Sequence, residues 1–166
     1  MLSTILSENY LLVRLAMIVG LIVTLVVAAL LVRAHGPGQR IATVISALAV
    51  VVVIALTLTP DTNSLEGSVC NLQPYSFYSD AYNMVLFGIP AIFAVVATRR
   101  PVVVLLVGVG FSALIELAQY WNPWLGRRCD VDDWLANSIG SVVGVLLAVI
   151  VVALVLAVQK RSRRYP

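Results

Sequence analysis

Apolar positions in this chain neither alternate nor confine themselves to one helical face; they come in unbroken blocks separated by short polar stretches. Five blocks stand out, at residues 11–32, 41–59, 82–98, 102–119 and 134–158. A helix rising 1.5 Å per residue needs about 20 apolar residues to cross the hydrocarbon of a bilayer, and each block is close to that length. A membrane barrel would show period-two alternation, which these blocks lack. The pattern predicts an all-α membrane protein, a bundle of five transmembrane helices. Pro90, in the middle of the third block, predicts a kink because it removes a backbone donor. The first block exceeds the roughly 7–15 residues of a signal-peptide core, and no basic segment or small-residue cleavage site brackets it.

Composition agrees. Of 166 residues, 61% are hydrophobic and 11% charged, against about 25% charged in a soluble domain. That excludes an aqueous domain of this size. It also excludes a disordered chain, which would be polar and charged, and two cysteines are too few for a secreted disulfide scaffold.

The charges then orient the bundle. Arg33 and Arg40, with His35, follow the first block; Arg99 and Arg100 follow the third; Lys160, Arg161, Arg163 and Arg164 end the chain. These are eight of the 11 Lys and Arg residues, all on one side of an alternating topology. The acidic residues Glu8, Asp61, Glu66, Asp80, Glu116, Asp130, Asp132 and Asp133 all fall at the other side, with Arg14, Arg127 and Arg128. The positive-inside rule places the basic side in the cytoplasm, so the N-terminus is expected outside and the C-terminus inside. Three parts follow: 1–40, a helix and its cytoplasmic turn; 41–158, a four-helix transmembrane domain; and 159–166, a basic cytoplasmic tail. The tail reads as a topology signal that touches anionic lipid, and no nucleic-acid partner is expected.

Residues 34–40 and 99–101 are expected as tight inner turns, and 60–81 and 120–133 as outer segments. The outer segments gather Trp121, Trp124, Trp134, Tyr75, Phe77, Tyr78, Tyr82 and Tyr120. An interfacial aromatic belt accounts for such a set; the alternative is a groove for a lipid or sugar headgroup. Cys70 and Cys129 lie one in each outer segment, in an oxidising compartment, which predicts a disulfide between them. The other possibility is two separate thiols. The one histidine, His35, sits on the opposite side, so no zinc site and no cofactor is expected.

The densest chemistry runs from the end of the fourth block into the fifth. A carboxylate in an apolar helix, such as Glu116, costs a few kcal/mol unless it faces the bundle interior and finds a partner. Gln119 is three positions on, on the same face, and Arg127 and Arg128 could reach back to Glu116. Asp133 and Asn137 share a face of the fifth helix, which Asp130 or Asp132 is placed to cap. Gly140 and Gly144 form a GxxxG pattern that permits close helix approach, on the stripe of Asp133 and Asn137. Asn83, at the start of the third helix, is expected to hydrogen-bond this group, since an unpaired amide in hydrocarbon costs several kcal/mol.

The ordered set E-x-x-Q (Glu116, Gln119), then G-R-x-x-D-x-x-D-x-x-x-N-x-x-G-x-x-x-G (Gly126, Arg127, Asp130, Asp133, Asn137, Gly140, Gly144), follows N-L-x-P (Asn71, Pro74) and N-x-x-L-F-x-x-P (Asn83, Phe87). It resembles the VanZ-like family of small membrane proteins over roughly residues 45–155, with the first helix largely outside. The chain departs from the family at Phe87-Gly88-Ile89-Pro90, where F-x-P-x-G is expected, which bears on the kink of the third helix. The resemblance implies a multi-pass protein of the bacterial cytoplasmic membrane. It would act at the outer face, near teicoplanin-type glycopeptides or lipid-linked cell-wall precursors, with membrane lipid around it. Three roles stay open for the polar cluster. It could bind an amphiphile, a lipoglycopeptide or an envelope enzyme. It could be an intramembrane acid–base pair of Glu116 and Asp133 acting on a lipid headgroup, with Mg²⁺ or Ca²⁺ as a variant. Or Glu116, Arg127, Asp130, Asp133 and Asn137 could form a closed ion-pair network. No Ser–His pair, HExxH or phosphate-cradling Gly loop is present.

Overall fold

The computed structural model describes residues 10–60, 70–72, 81–127 and 129–162. Glu8, Asp61, Glu66, Pro74, Tyr75, Phe77, Tyr78, Asp80, Arg128, Arg163 and Arg164 lie outside the described residues. The apolar blocks form five helices: α1 (Tyr10–Arg33), α2 (His35–Leu58), α3 (Ala81–Thr98), α4 (Pro101–Trp121) and α5 (Val131–Ser162). Each is long and apolar enough to span a membrane. A short 3₁₀ turn, Pro123–Leu125, follows α4, and the described residues contain no strand beyond one isolated bridge between Asn71 and Asp130.

Helix ends depart from the block limits where turn chemistry decides them. The turn expected over 34–40 is a single residue, Ala34, and α2 starts at His35. The boundary drawn at residue 40 therefore falls inside α2. Pro37 is tolerated so early because first-turn N–H groups have no helical partner to lose. Gly38 is needed there because a Cβ would run into the backbone of Leu31 on α1. Pro101 opens α4 at its first position, the same logic at the second hairpin. The left-handed φ values of 52° at His35 and 57° at Arg99 reverse the chain in these two turns.

Lipid tails are as apolar as leucine, so helices in a bilayer associate by close packing rather than by hydrophobic burial. Accordingly Leu12, Leu48, Leu106, Leu146 and Leu154 are exposed on the lipid-facing surface, and the closest approaches between helices are made at glycines. α3 is central and packs against all four other helices, most extensively α5. There a Cβ on Gly140 would overlap the backbone of Met84, and one on Gly144 the backbone of Gly88. Gly88, the residue that departs from the family pattern, is thus one side of the close α3–α5 crossing. α3 continues through Pro90, whose carbonyl accepts a 3.2 Å bond from Ser46 Oγ of α2.

The alternation of helices separates two ends. Arg33, His35, Arg40, Arg99, Arg100, Lys160 and Arg161 collect at the basic end. At the other end Cys70 and Cys129 are joined by a disulfide, which ties the α2–α3 connection to the start of α5. A buried apolar cluster of Ala28, Val32, Ile92, Val96 and Ala148 fills the basic half. A smaller one, Val53, Phe87 and Ile115, lies beneath the cystine end.

Candidate functional site

Acidic side chains at the cystine end are arranged by the start of α5. Asp130 precedes its first residue and caps it: one carboxylate oxygen accepts the Asp132 amide at 2.9 Å, satisfying an orphan donor at the positive end of the helix. The same carboxylate takes Asn71 Nδ2 at 3.2 Å. The backbone of Asn71 pairs on both sides, its N–H to Cys129 O at 2.9 Å and its carbonyl to Val131 N–H at 3.1 Å. Asn71 is therefore locked onto α5 immediately beside the disulfide.

This lock presents the Asp130 amide to Glu116, whose Oε2 accepts it at 2.8 Å. Glu116 is 7% exposed and Gln119 is 4% exposed, both from the last turns of α4. Gln119 Nε2 donates to the Thr57 carbonyl of α2 at 2.9 Å. Asn137, 2% exposed, donates from Nδ2 to Ser112 Oγ of α4 at 3.0 Å, and Ser141 Oγ donates to the Asn137 carbonyl. Asn83 Nδ2 donates to Asp133 Oδ1 at 2.6 Å, joining α3 to α5. Gly126, at a φ of 60° that favours glycine, turns the chain after the 3₁₀ segment and aims Arg127 back over α2. Its guanidinium Nε donates to the Thr59 carbonyl at 2.9 Å. Among the described residues Arg127 forms no ion pair with Glu116, in contrast to the expected reach-back. The Thr59 carbonyl, left without a helical partner at the end of α2, takes the guanidinium instead.

The aromatic residues divide. Trp121 and Trp124 are largely exposed at this end, as an interfacial belt requires, whereas Tyr82 lines the cavity described next.

Asn83, Glu116, Gln119, Arg127, Asp133 and Asn137 line one cavity of about 520 Å³. From this polar end the cavity continues between α2 and α3 to Ala49, Val52, Ile89 and Pro90, with Met17 of α1 on its wall. Thr57 to Ala49, and Tyr82 to Pro90, each span about 12 Å of helix at 1.5 Å per residue, most of the depth of one leaflet, about 15 Å. Val52 and Leu56 are exposed on the bundle surface, so the apolar part opens sideways. Three participants were not singled out in the sequence. Ser112 stands four residues before Glu116 on the same face, a readable signal; the Thr57 and Thr59 carbonyls carry none, because every residue has one.

The Asn83–Asp133 bond is short and charge-assisted. Asn83→Leu should lower stability by about 2 kcal/mol, read as a lower melting temperature in detergent, and an unchanged melting temperature would refute the coupling.

A protein-family model described as VanZ/LLP1 matches residues 19–152. The match covers most of the chain and begins within α1, earlier than the resemblance traced from residue 45. No curated protein and no solved structure matches the chain.

Proposed function

The chain belongs to the VanZ/LLP1 family, and from that premise we propose that it binds an amphiphile at the outer face of the bacterial cytoplasmic membrane. The amphiphile is a lipid-linked cell-wall component or a lipoglycopeptide, and its binding contributes to teicoplanin-type glycopeptide resistance or envelope homeostasis. The observation that carries this reading is the cavity itself, polar at the cystine end and apolar for about 12 Å below it. Such a shape suits one polar head and one chain. The orientation is supported by the disulfide, which belongs to an oxidising compartment, and by the basic residues at the opposite end.

Ala49→Trp should fill the apolar part of the cavity, while Leu48→Trp, one residue along on the exposed face, should not. In a host made less susceptible to teicoplanin by the native chain, Ala49→Trp is expected to abolish the effect at equal membrane abundance, and Leu48→Trp to preserve it. Native behaviour of Ala49→Trp would reject the reading. For orientation, a cysteine placed by Ser162→Cys should react with an impermeant maleimide only after cell lysis; labelling of intact cells would invert the topology.

One observation favours a second reading, acid–base chemistry on a lipid headgroup: Glu116 and Asp133 line the same cavity. It differs in expecting chemical conversion of the bound amphiphile, measured by mass spectrometry, and loss of that conversion in Glu116→Gln without loss of binding.

A further inference from the structure

Two carboxylates, Glu116 and Asp133, and one cation, Arg127, line the polar end of the cavity among the described residues. Glu116 commits Oε2 to the Asp130 amide; no hydrogen bond from a described residue reaches its other oxygen, and the side chain lines the cavity. The Asp133 side chain lines the same cavity. Arg127, the cation on the wall, has its Nε on the Thr59 carbonyl and pairs with no described carboxylate.

Gln119 supplies an independent second observation. A carbonyl only accepts, so the bond from Nε2 to Thr57 O fixes which way the amide faces. That leaves Oε1 buried without a donor. Asn137 Oδ1 is likewise buried and unpartnered. Buried acceptors without donors mark a missing group, and here the missing group must donate hydrogen bonds and carry positive charge. A phosphate or sulfate head would meet the Glu116 and Asp133 carboxylates and Gln119 Oε1, with Arg127 as the one cation among the described lining residues, so the acceptors outweigh it. A metal ion is the poorer fit, because no three His, Cys, Asp or Glu side chains among the described residues converge on one point.

We propose that the cavity takes an amphiphile whose head bears an ammonium group, which donates to the other Glu116 oxygen and to Gln119 Oε1 while the chain lies along Val52, Ile89 and Pro90. This rests on the amphiphile reading above and assigns the chemistry of the head. Two sources share that chemistry, a membrane aminophospholipid and an amine-bearing amphiphile from outside the cell.

The test uses the full chain, disulfide intact, in an uncharged maltoside detergent, with bound probe counted by native mass spectrometry. Dodecylammonium is expected to bind as one equivalent and dodecyl phosphate, with the same chain, not to bind. Glu116→Gln and Gln119→Leu should each weaken dodecylammonium by about tenfold or more, the scale of one charge-assisted hydrogen bond. A melting temperature for each variant identifies any that fails to fold, and Gln119→Leu, which removes no charge, is the variant that keeps the assignment testable. Retention of phosphatidylethanolamine over phosphatidylcholine would identify a lipid source; binding of dodecylammonium without that preference would identify an external amine. Dodecyl phosphate binding as tightly as dodecylammonium, or folded variants that bind normally, would overturn the ammonium assignment and leave the amphiphile reading standing. Failure of both probes to bind the native chain would overturn the amphiphile reading as well.

Discussion

Gly140→Leu is expected to yield no protein with the native melting transition. A Cβ at this position falls 2.6 Å from the Cα of Met84 and closer still to its carbonyl, and backbone, unlike a flexible side chain, cannot swing aside. α3 and α5 would have to part. Parting them also breaks the contact of Gly144 with Gly88 and the Asn83–Asp133 bond at the head of the same two helices. Overpacking of an ordinary core costs about 1–3 kcal/mol; backbone on both sides raises the figure to about 3 kcal/mol or more, a large part of a total stability of about 5–15 kcal/mol. Gly110→Leu is the control, since a Cβ there meets nothing within 4 Å. It should melt like the native protein or slightly higher, because glycine is a poor helix former. Size-exclusion profiles and thermal melts in detergent measure both variants, and a native-like melt for Gly140→Leu would show that the α3–α5 crossing is not what holds the bundle.

That crossing was legible in the sequence as GxxxG, but its partner was not. Gly88 appears there only as a departure from a family pattern, because a packing surface made of backbone leaves no side-chain signature. The five spans were legible for the opposite reason: hydrocarbon rejects every polar side chain, so the limits of solvent contact are written in composition. Where the limit is a turn, composition says less, and Gly36-Pro37-Gly38 reads as a loop although α2 already runs through it. In the site, residue types announce themselves when a charge has to be matched. Asp130 does so as a helix cap. Arg127 carries a legible charge, yet its partner is the Thr59 carbonyl, whose availability is set by where α2 ends.

Breaking the Cys70–Cys129 disulfide is expected to lower the melting temperature by about 10 °C while leaving the helices in place. Each span is held by its own hydrogen bonds and by the bilayer, so far-UV circular dichroism should hardly change. The loss falls on the connection. The bridge joins residues 59 apart in sequence, and the chain-entropy relation gives about 4 kcal/mol for a loop of that size. Anchoring of the helices in lipid already restricts the loop ends, so this is an upper figure; at about 2–4 °C per kcal/mol the shift is of order 10 °C. A larger effect is expected at the site. Without the bridge, the hydrogen bonds of Asn71 to Cys129, Asp130 and Val131 must hold the loop against α5 alone. Asp130 is the residue whose amide fixes Glu116. Reductant should therefore loosen probe binding in the cavity more than Asn71→Ala does, and the double variant Cys70→Ser/Cys129→Ser should bind weakly with or without reductant. Equal melting temperatures before and after reduction would show that the hydrogen bonds suffice. Equal binding would show that Glu116 keeps its place without the bridge, and that the disulfide acts on stability only.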